Sequence, residues 1–293
     1  MAASLTDTQV ARYHRDGFLF PLEVFGEGET RAHREEFEAL EQRYPAGSLP
    51  HDLGQYLRVN AQMVVPLAAR IALKPAVLDI VESILGPDLL VWSAELFIKE
   101  PGTPKIVSWH QDLTYWGLGE TDEELTAWIA LSPASEASGC MRFLPGSHKR
   151  PIVAHRDTFA ADNLLSRGQE IAVEVDEAEA VLAALGPGQM SLHHGRMFHA
   201  SGPNLSDDRR IGLAIRYVTP GVRQIVGARD YAMLARGVDR ARNWIHVAPP
   251  HELFGAAHLA LYDQVLADQS VALAEGAAQP VGLYDFARTV TKA

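Results

Sequence analysis

A single cysteine, Cys140, stands among 293 residues. No internal disulfide can form from it, and a cysteine-based zinc site is ruled out. Cys140 sits in the apolar run Gly139-Cys140-Met141-Arg142-Phe143-Leu144, where a small core residue is expected rather than a nucleophile. No Lys/Arg cluster interrupts a formal charge of -11. That balance excludes a nucleic-acid face and disfavours anionic membrane surfaces, while leaving open the sign of charge inside one pocket. No apolar stretch reaches the roughly 20 residues of a membrane span. Met1-Ala2-Ala3-Ser4-Leu5-Thr6-Asp7 lacks a basic start followed by an apolar run, so no signal peptide is expected and the expected compartment is the cytoplasm. Repeats, low-complexity segments and a separating linker are missing as well. Residues 1–293 are therefore expected to form one domain, with 1–88 mostly helical, 89–220 a β core, and 221–293 a lid or solvated surface followed by a C-terminal helix.

What is present suffices for a sizeable core, since 47% of residues are hydrophobic and 22% charged. Thr6-Asp7-Thr8-Gln9 has the spacing of a capping box, and Gly17 sits where the helix it opens would stop. Glu29–Tyr44 reads as a charged amphipathic helix ended by Pro45. In Pro75–Leu85, Val77, Ile80, Val81, Ile84 and Leu85 form an apolar stripe, and Gly86-Pro87 ends it. From residue 89 the pattern changes to short β-branched and aromatic runs broken by Gly and Pro. Strands are expected at 89–99, 105–109, 126–131, 141–144, 170–175, 189–194 and 210–218, with a short helix at 176–184. Beyond Pro220, residues 244–247 read as a strand and 256–275 as a helix stopped by Gly276. Strands in series without regular intervening helices predict an antiparallel sandwich or barrel.

The tripeptide His-x-Asp occurs three times, at His14–Asp16, His110–Asp112 and His155–Asp157. Its chemistry depends on the backbone. On a strand, residues i and i+2 share a face and the imidazole and carboxylate converge; on a helix they diverge. His14 and Asp16 fall in the last turn of a helix and are expected at the surface. His155 and Asp157 follow Pro151 in a polar segment expected to be a solvated loop. Only His110 and Asp112 directly follow a strand, and Leu113-Thr114-Tyr115-Trp116 comes next, suited to wall a pocket. Two His and one carboxylate on iron(II) leave three positions for oxygen and a bidentate cosubstrate. The second His is expected from a distant strand, with His193, His194 and His199 as candidates. On a strand at most one of His193 and His194 faces inward.

His110-Gln111-Asp112, together with His199-Ala200-Ser201-Gly202-Pro203-Asn204 and Arg210 eleven residues beyond His199, resembles the phytanoyl-CoA dioxygenase family. The stretch from Thr8 to Phe20 is similar to the family's opening, and Gly139-Cys140 through Pro145-Gly146-Ser147-His148 to its Gly-Cys…Pro-Gly-Ser/Thr-His segment. The likeness runs from about residue 5 to 218. It implies a double-stranded β-helix of jelly-roll type, mainly β with flanking helices, and the chemistry of a hydroxylase using Fe(II), 2-oxoglutarate and O2. It carries His110, Asp112 and His199 over as iron ligands and Arg210 as the clamp on the distal carboxylate of 2-oxoglutarate, a task for which a guanidinium fork is suited. Arg209, the neighbour, points the other way on a strand. Ser201 matches a position that helps hold the same carboxylate. Trp128 matches a tryptophan near the cosubstrate, with core packing as the competing reading. His194 matches a histidine beside the site. Related halogenases carry a small residue where Asp112 stands, so hydroxylation or another oxidative outcome is expected over halogenation.

A small-molecule substrate is expected, but its identity and the oligomeric state are not read from the sequence. Tyr115 and Trp116 are candidates for its pocket or for core packing. Arg216 shares the face of Arg210 at even spacing, where it would favour a carboxylate or phosphonate on the substrate. Arg223, Arg229, Arg236, Arg240 and Arg242 belong to the stretch read as a lid or a solvated surface. A cupin-type hydrolase or isomerase using the same ligands, and a non-catalytic binding relative, stand as alternatives.

Overall fold

The computed structural model describes residues 4–160, 162–165 and 167–275. Helix α1 (Asp7–Asp16) opens on the expected capping box, with the Thr6 side chain accepting from Gln9 N and the Gln9 side chain accepting from Thr6 N. It ends at Gly17, whose φ of 86° suits glycine and whose added Cβ would lie 2.3 Å from His148 Nδ1. Strand β1 (Phe18–Glu23) follows directly; the helical reading of the N-terminal part missed it. Then come α2 (Glu27–Arg43), α3 (Leu53–Arg58), α4 (Pro66–Ala72) and α5 (Pro75–Leu85).

The β portion runs β2 (Leu89–Lys99), β3 (Val107–His110), β4 (Glu124–Ala130), β5 (Met141–Phe143), β6 (His155–Asp157), β7 (Gln169–Ile171), β8 (Val181–Ala183), β9 (Gln189–His194), β10 (His199–Ser201), β11 (Arg210–Val218), β12 (Tyr231–Arg236) and β13 (Ile245–His246), before α6 (Ala256–Ala274). The expected Gly276 stop lies outside the described residues. A seven-stranded sheet has the order β1-β9-β4-β11-β2-β12-β13 and a four-stranded sheet the order β3-β10-β5-β8; β6 and β7 pair separately. This is the double-stranded β-helix with flanking helices that the sequence resemblance implied.

Strand alternation divides the large sheet into two chemistries. Leu96, Leu125, Ala127, Ile129, Met190, Leu192, Ile211, Leu213, Ile215 and Tyr217 form one buried face. That face packs on α4 and α5 through residues such as Leu67, Ile71, Val77 and Val81. Each fully buried aliphatic side chain there contributes on the order of 1.5–3 kcal/mol. The opposite face looks toward the small sheet. In register it carries Ser93, Glu95, Phe97 and Lys99 on β2, Arg210, Gly212, Ala214 and Arg216 on β11, Thr126 and Trp128 on β4, and Ser191 and His193 on β9.

Three further expectations are corrected. Residues 176–184 do not form a helix. Glu177–Glu179 is one 3-10 turn capped by Asp176, and β8 then pairs with β5 at the sheet edge. Strand pairing outweighs the helical preference of this Glu- and Ala-rich stretch. His155 and Asp157 are not in a solvated loop, because Arg167 supplies a counter-charge: its Nε and Nη2 reach Asp157 Oδ2 at 2.9 and 2.5 Å, and β6 pairs with β7. Residues 221–250 are not a lid over the cavity described below. β12 pairs with β2 in the large sheet, and Arg223, Arg229, Arg236, Arg240 and Arg242 are all absent from the cavity wall.

Leu213, fully buried between sheet and helices, tests this core. Leu213→Ala is expected to destabilise the protein by about 2–5 kcal/mol. A urea titration should show a lower midpoint at unchanged slope; an unchanged midpoint would place β11 outside the core.

Candidate metal centre and its cavity

The small sheet aligns His110, His199 and Phe143 in one row across β3, β10 and β5. The two imidazole centroids are 4.0 Å apart. Gln111 is extended, at φ -118° and ψ 128°, so Asp112 returns to the face of His110. Gln111 is itself fully buried. Its amide donates to Pro151 O and Arg196 O and accepts from Val153 N, and its own N–H donates to His155 Nε2 at 3.2 Å. These bonds hold the turn that brings carboxylate and imidazole together.

Asp112 Oδ1 lies 3.3 Å from His110 Nε2 and 3.9 Å from His199 Nε2. All three residues are buried, and one ligand atom from each lies within 4.8 Å of the others. His110 Nδ1 donates to Ser108 O at 2.8 Å and His199 Nδ1 to Met197 O at 3.0 Å. That tautomer leaves each Nε2 with a lone pair facing the carboxylate. Lone pairs converging in a buried place repel one another, and a divalent cation between them removes the repulsion. Burial and the neighbouring His110 keep His199 neutral, well below the ordinary imidazole range. Burial opposes the Asp112 charge, yet the carboxyl stands well below its usual range, with the Arg216 guanidinium among the groups that favour the charged form.

The triad opens into a cavity lined by His193, Trp128, Ser201, Arg210, Tyr115, Trp116 and Arg216 among others. Arg210 is buried without an acidic partner among the described residues. Its Nη1 donates to Gly139 O at 2.5 Å, its Nε has no described partner, and its Cζ lies 5.4 Å from the Trp128 ring centroid. Burial pulls it down to about 10. Arg209 faces outward onto Glu41 and Glu100. Gly212 makes room for Trp128, since a Cβ there would lie 1.8 Å from Trp128 Cζ2. Lys99, unnoticed in the sequence, is buried beside Arg210; burial and that neighbour push its amine down to about 6. Its Nζ donates to Ser201 Oγ at 2.7 Å and also to Gly202 O. The roof comes from Leu164, Leu165, Gln169 and, on α6, Gln269 and Leu273. Arg167 Nη1 fastens the end of α6 by donating to Leu273 O and Glu275 O.

His194 is not beside the site. Alternation along β9 turns it to the opposite face, where Nε2 meets Asp122 Oδ1 at 3.1 Å and Nδ1 accepts from Arg196 N. The cavity histidine is His193, whose Nε2 lies 3.8 Å from Asp112 Oδ2. The two-residue period of β9 could show only that one of the pair faces the cavity, and not which.

The model of the phytanoyl-CoA dioxygenase (PhyH) family matches residues 13–212. The chain belongs to the phytanoyl-CoA dioxygenase family. Among its relatives is a probable alpha-ketoglutarate-dependent hypophosphite dioxygenase of Stutzerimonas stutzeri, 33% identical over 159 residues that make up 53% of this chain and 54% of the relative. Another is the peroxisomal phytanoyl-CoA dioxygenase of Bos taurus, 26% identical over 70% of this chain and 66% of the relative. The matches to the first curated relatives span only about half of those proteins' lengths, between 48% and 54%. Among solved structures, the non-heme monooxygenase ThoJ in its apo form is similar with a TM-score of 0.81 and 35% identity, over 91% of this chain and 98% of that one. CytC3 with Fe(II) and alpha-ketoglutarate shares the fold at a TM-score of 0.64 and 23% identity, over 84% of this chain and 94% of that one.

Two expectations follow for this family member. Gly212→Ala should drive the Trp128 indole off β11 at a cost of about 1–3 kcal/mol, seen as a shift in tryptophan emission and a lower melting temperature; unchanged emission would refute the contact. Burial lowers both His155 and His194 to about 4. An unfolded chain takes up these protons first, so stability is complete above about pH 6.5 and is lost as pH falls toward 4. Denaturant titrations of the metal-free protein at pH 7, 6 and 5 should show the decline, and His194→Gln should flatten it; a decline of equal steepness in the variant would remove His194 from the account.

Proposed function

We propose that this chain is an Fe(II)- and 2-oxoglutarate-dependent dioxygenase that hydroxylates an unactivated C–H bond of a small-molecule substrate, releasing succinate and CO2. One observation carries this reading: a buried two-histidine, one-carboxylate cluster shares its cavity with an arginine that has no acidic partner among the described residues. Relatives named as alpha-ketoglutarate-dependent dioxygenase, L-proline trans-4-hydroxylase and ectoine dioxygenase support it.

The residues fit both groups. His110, Asp112 and His199 would hold iron, and three protein ligands would leave positions for O2 and for a bidentate cosubstrate. With O2, bound iron(II) and 2-oxoglutarate would supply an oxidant able to attack a C–H bond. The protein's own work is binding and orientation. A buried guanidinium without a counter-charge is costly, and the distal carboxylate of 2-oxoglutarate is the partner that would offset the cost at Arg210. The Ser201 hydroxyl accepts from Lys99, which leaves its own proton to donate to that carboxylate. Trp128 holds Arg210 from one side. The carbonyl partners of Nδ1 keep His110 and His199 in the ligand tautomer. A hydrolase or isomerase built on the same three ligands has no use for the buried Arg210.

Anaerobic titration of the apoprotein with iron(II) and then 2-oxoglutarate tests this directly. A weak visible charge-transfer band of the chelate is expected. His110→Ala and Asp112→Ala should lose iron binding. Arg210→Ala should retain iron while needing at least tenfold more 2-oxoglutarate for the band. Iron bound without any band would overturn the cosubstrate assignment.

A further inference from the structure

Register sets Lys99 on β2 directly opposite Arg210 on β11, and both side chains are buried. Two basic groups therefore share this end of the inner face, and no carboxylate among the described residues pairs with either. Farther along the same face the arrangement differs: Arg216 Nη1 meets Glu95 Oε2 at 2.9 Å, and Arg58 Nη1 meets the same oxygen at 2.5 Å. Arg210 stays protonated at neutral pH, so the repulsion between the pair falls on Lys99. The other titratable groups that act on Lys99 are Cys140, just before β5, and Arg142 on β5. Burial raises the Cys140 thiol, which stays neutral at pH 7. Arg142 is paired with Glu177 at 2.6 Å. The nearest acids along the chain are occupied elsewhere, Glu100 by Arg209 at 2.8 Å and Asp208 by Arg34 at 2.7 Å.

The amine is nonetheless surrounded as an ammonium would be. Its Nζ reaches Ser201 Oγ at 2.7 Å, Ser201 O at 3.4 Å, and Gly202 O. Three acceptors match the three N–H bonds of the charged form, whereas a neutral amine donates only two. The acceptors are held in place, because Asn204 Nδ2 donates to Lys99 O at 2.9 Å and to Asp208 O at 2.8 Å and so ties the loop after β10 to β2. Charge is disfavoured all the same: burial first, and then Arg210, push the amine down to about 6. The protein thus supplies the hydrogen-bond shell of an ammonium and omits its counter-charge. Ser201 lines the cavity, and Lys99 stands behind it, off the cavity wall. An anion seated on Arg210 and Ser201 would remove the repulsion and add an attraction across a low-dielectric gap.

We propose that Lys99 is a proton-coupled second cation of the 2-oxoglutarate site, neutral in the cosubstrate-free protein and protonated when the distal carboxylate settles on Arg210 and Ser201. The amine takes one proton from solvent and becomes an ammonium, and no bond to the cosubstrate forms or breaks. This inference rests on the iron and 2-oxoglutarate reading, and deepens it with a positioning residue and a pH dependence. The direction follows from linkage. Binding that takes up a proton is favoured as pH falls, so affinity for 2-oxoglutarate rises by up to tenfold for each unit between about pH 8 and 6.5. Below about pH 6 the free amine is already charged, and the gain levels off.

Anaerobic calorimetry of the iron(II)-loaded protein at pH 7, run in buffers of different ionisation enthalpy, counts the protons. Binding of 2-oxoglutarate should take up roughly half a proton or more. Binding of 2-oxopentanoate, which offers the same chelating oxo acid without a distal carboxylate, should take up almost none. Lys99→Met, similar in shape and unable to titrate, should keep the chelate band, lose the uptake, and bind 2-oxoglutarate with a flat profile across this pH range. Should that variant fail to fold, Ser201→Ala, which removes the acceptor at 2.7 Å, should cut the uptake about twofold. The assignment is overturned if 2-oxoglutarate binds without uptake, if 2-oxopentanoate takes up as much, or if the variants keep the full uptake. The chelate band separates the two readings: a missing band with 2-oxoglutarate sinks both, whereas a normal band without uptake sinks only the role of Lys99.

Discussion

Strand β11 is paired on both sides, with β2 and with β4, and every residue of it is buried. Two-residue alternation on such a strand forces its side chains into two separate environments. Ile211, Leu213, Ile215 and Tyr217 enter the helix-covered core. Arg210, Ala214 and Arg216 enter the cavity, and Gly212 on the same face lies under Trp128. A slip of one residue would send both arginines into the aliphatic core and the aliphatic residues into the cavity, so register and function are a single constraint. The apolar layer over α4 and α5 supplies the stability against which the polar layer is held.

The site is composed of halves that neither sheet makes alone. The small sheet brings His110 and His199 into one row, and the buried Gln111 turns Asp112 back toward them. The large sheet contributes Trp128, His193 and the two arginines. Chemistry at their interface is governed by charges that the protein leaves unbalanced. In the proposed reading, lone pairs converge where a cation would bind, and the Arg210 guanidinium sits where a carboxylate would. Such groups cost several kcal/mol when buried without partners. Ligand binding would recover that cost, which is how a cavity of this kind couples affinity to a specific arrangement of charges.

Fastening at the roof complements this rigidity. Arg167 joins β6, through Asp157, to the carbonyls at the end of α6. Asp230 gathers Trp92, Gln224 and Gln269 from three separate segments. Cavity-lining aromatics are therefore positioned by buried polar groups and not by apolar packing alone.

By itself the sequence determined what local chemistry encodes. The capping box at Thr6–Gln9, the stop at Gly17, the apolar stripe of Pro75–Leu85 and the long strands 89–99, 189–194 and 210–218 all follow from spacing that acts within a few residues. The His110–Asp112 motif stood out because a strand precedes it, and resemblance to a family then pointed to His199 and Arg210. Short pieces were illegible: β1, β8, β10 and β12 hold together by pairing with strands distant in sequence, and β8 overrode a helical composition. Tertiary structure alone decided that His193 rather than His194 faces the cavity, because the face chosen by β9 is set by its neighbours β1 and β4. It alone revealed Arg167 as the partner of Asp157, Lys99 beside Arg210, and Glu95 shared between Arg58 and Arg216. Each of these is a buried charge whose partner lies on another element, and a buried charge is defined by what the fold sets beside it.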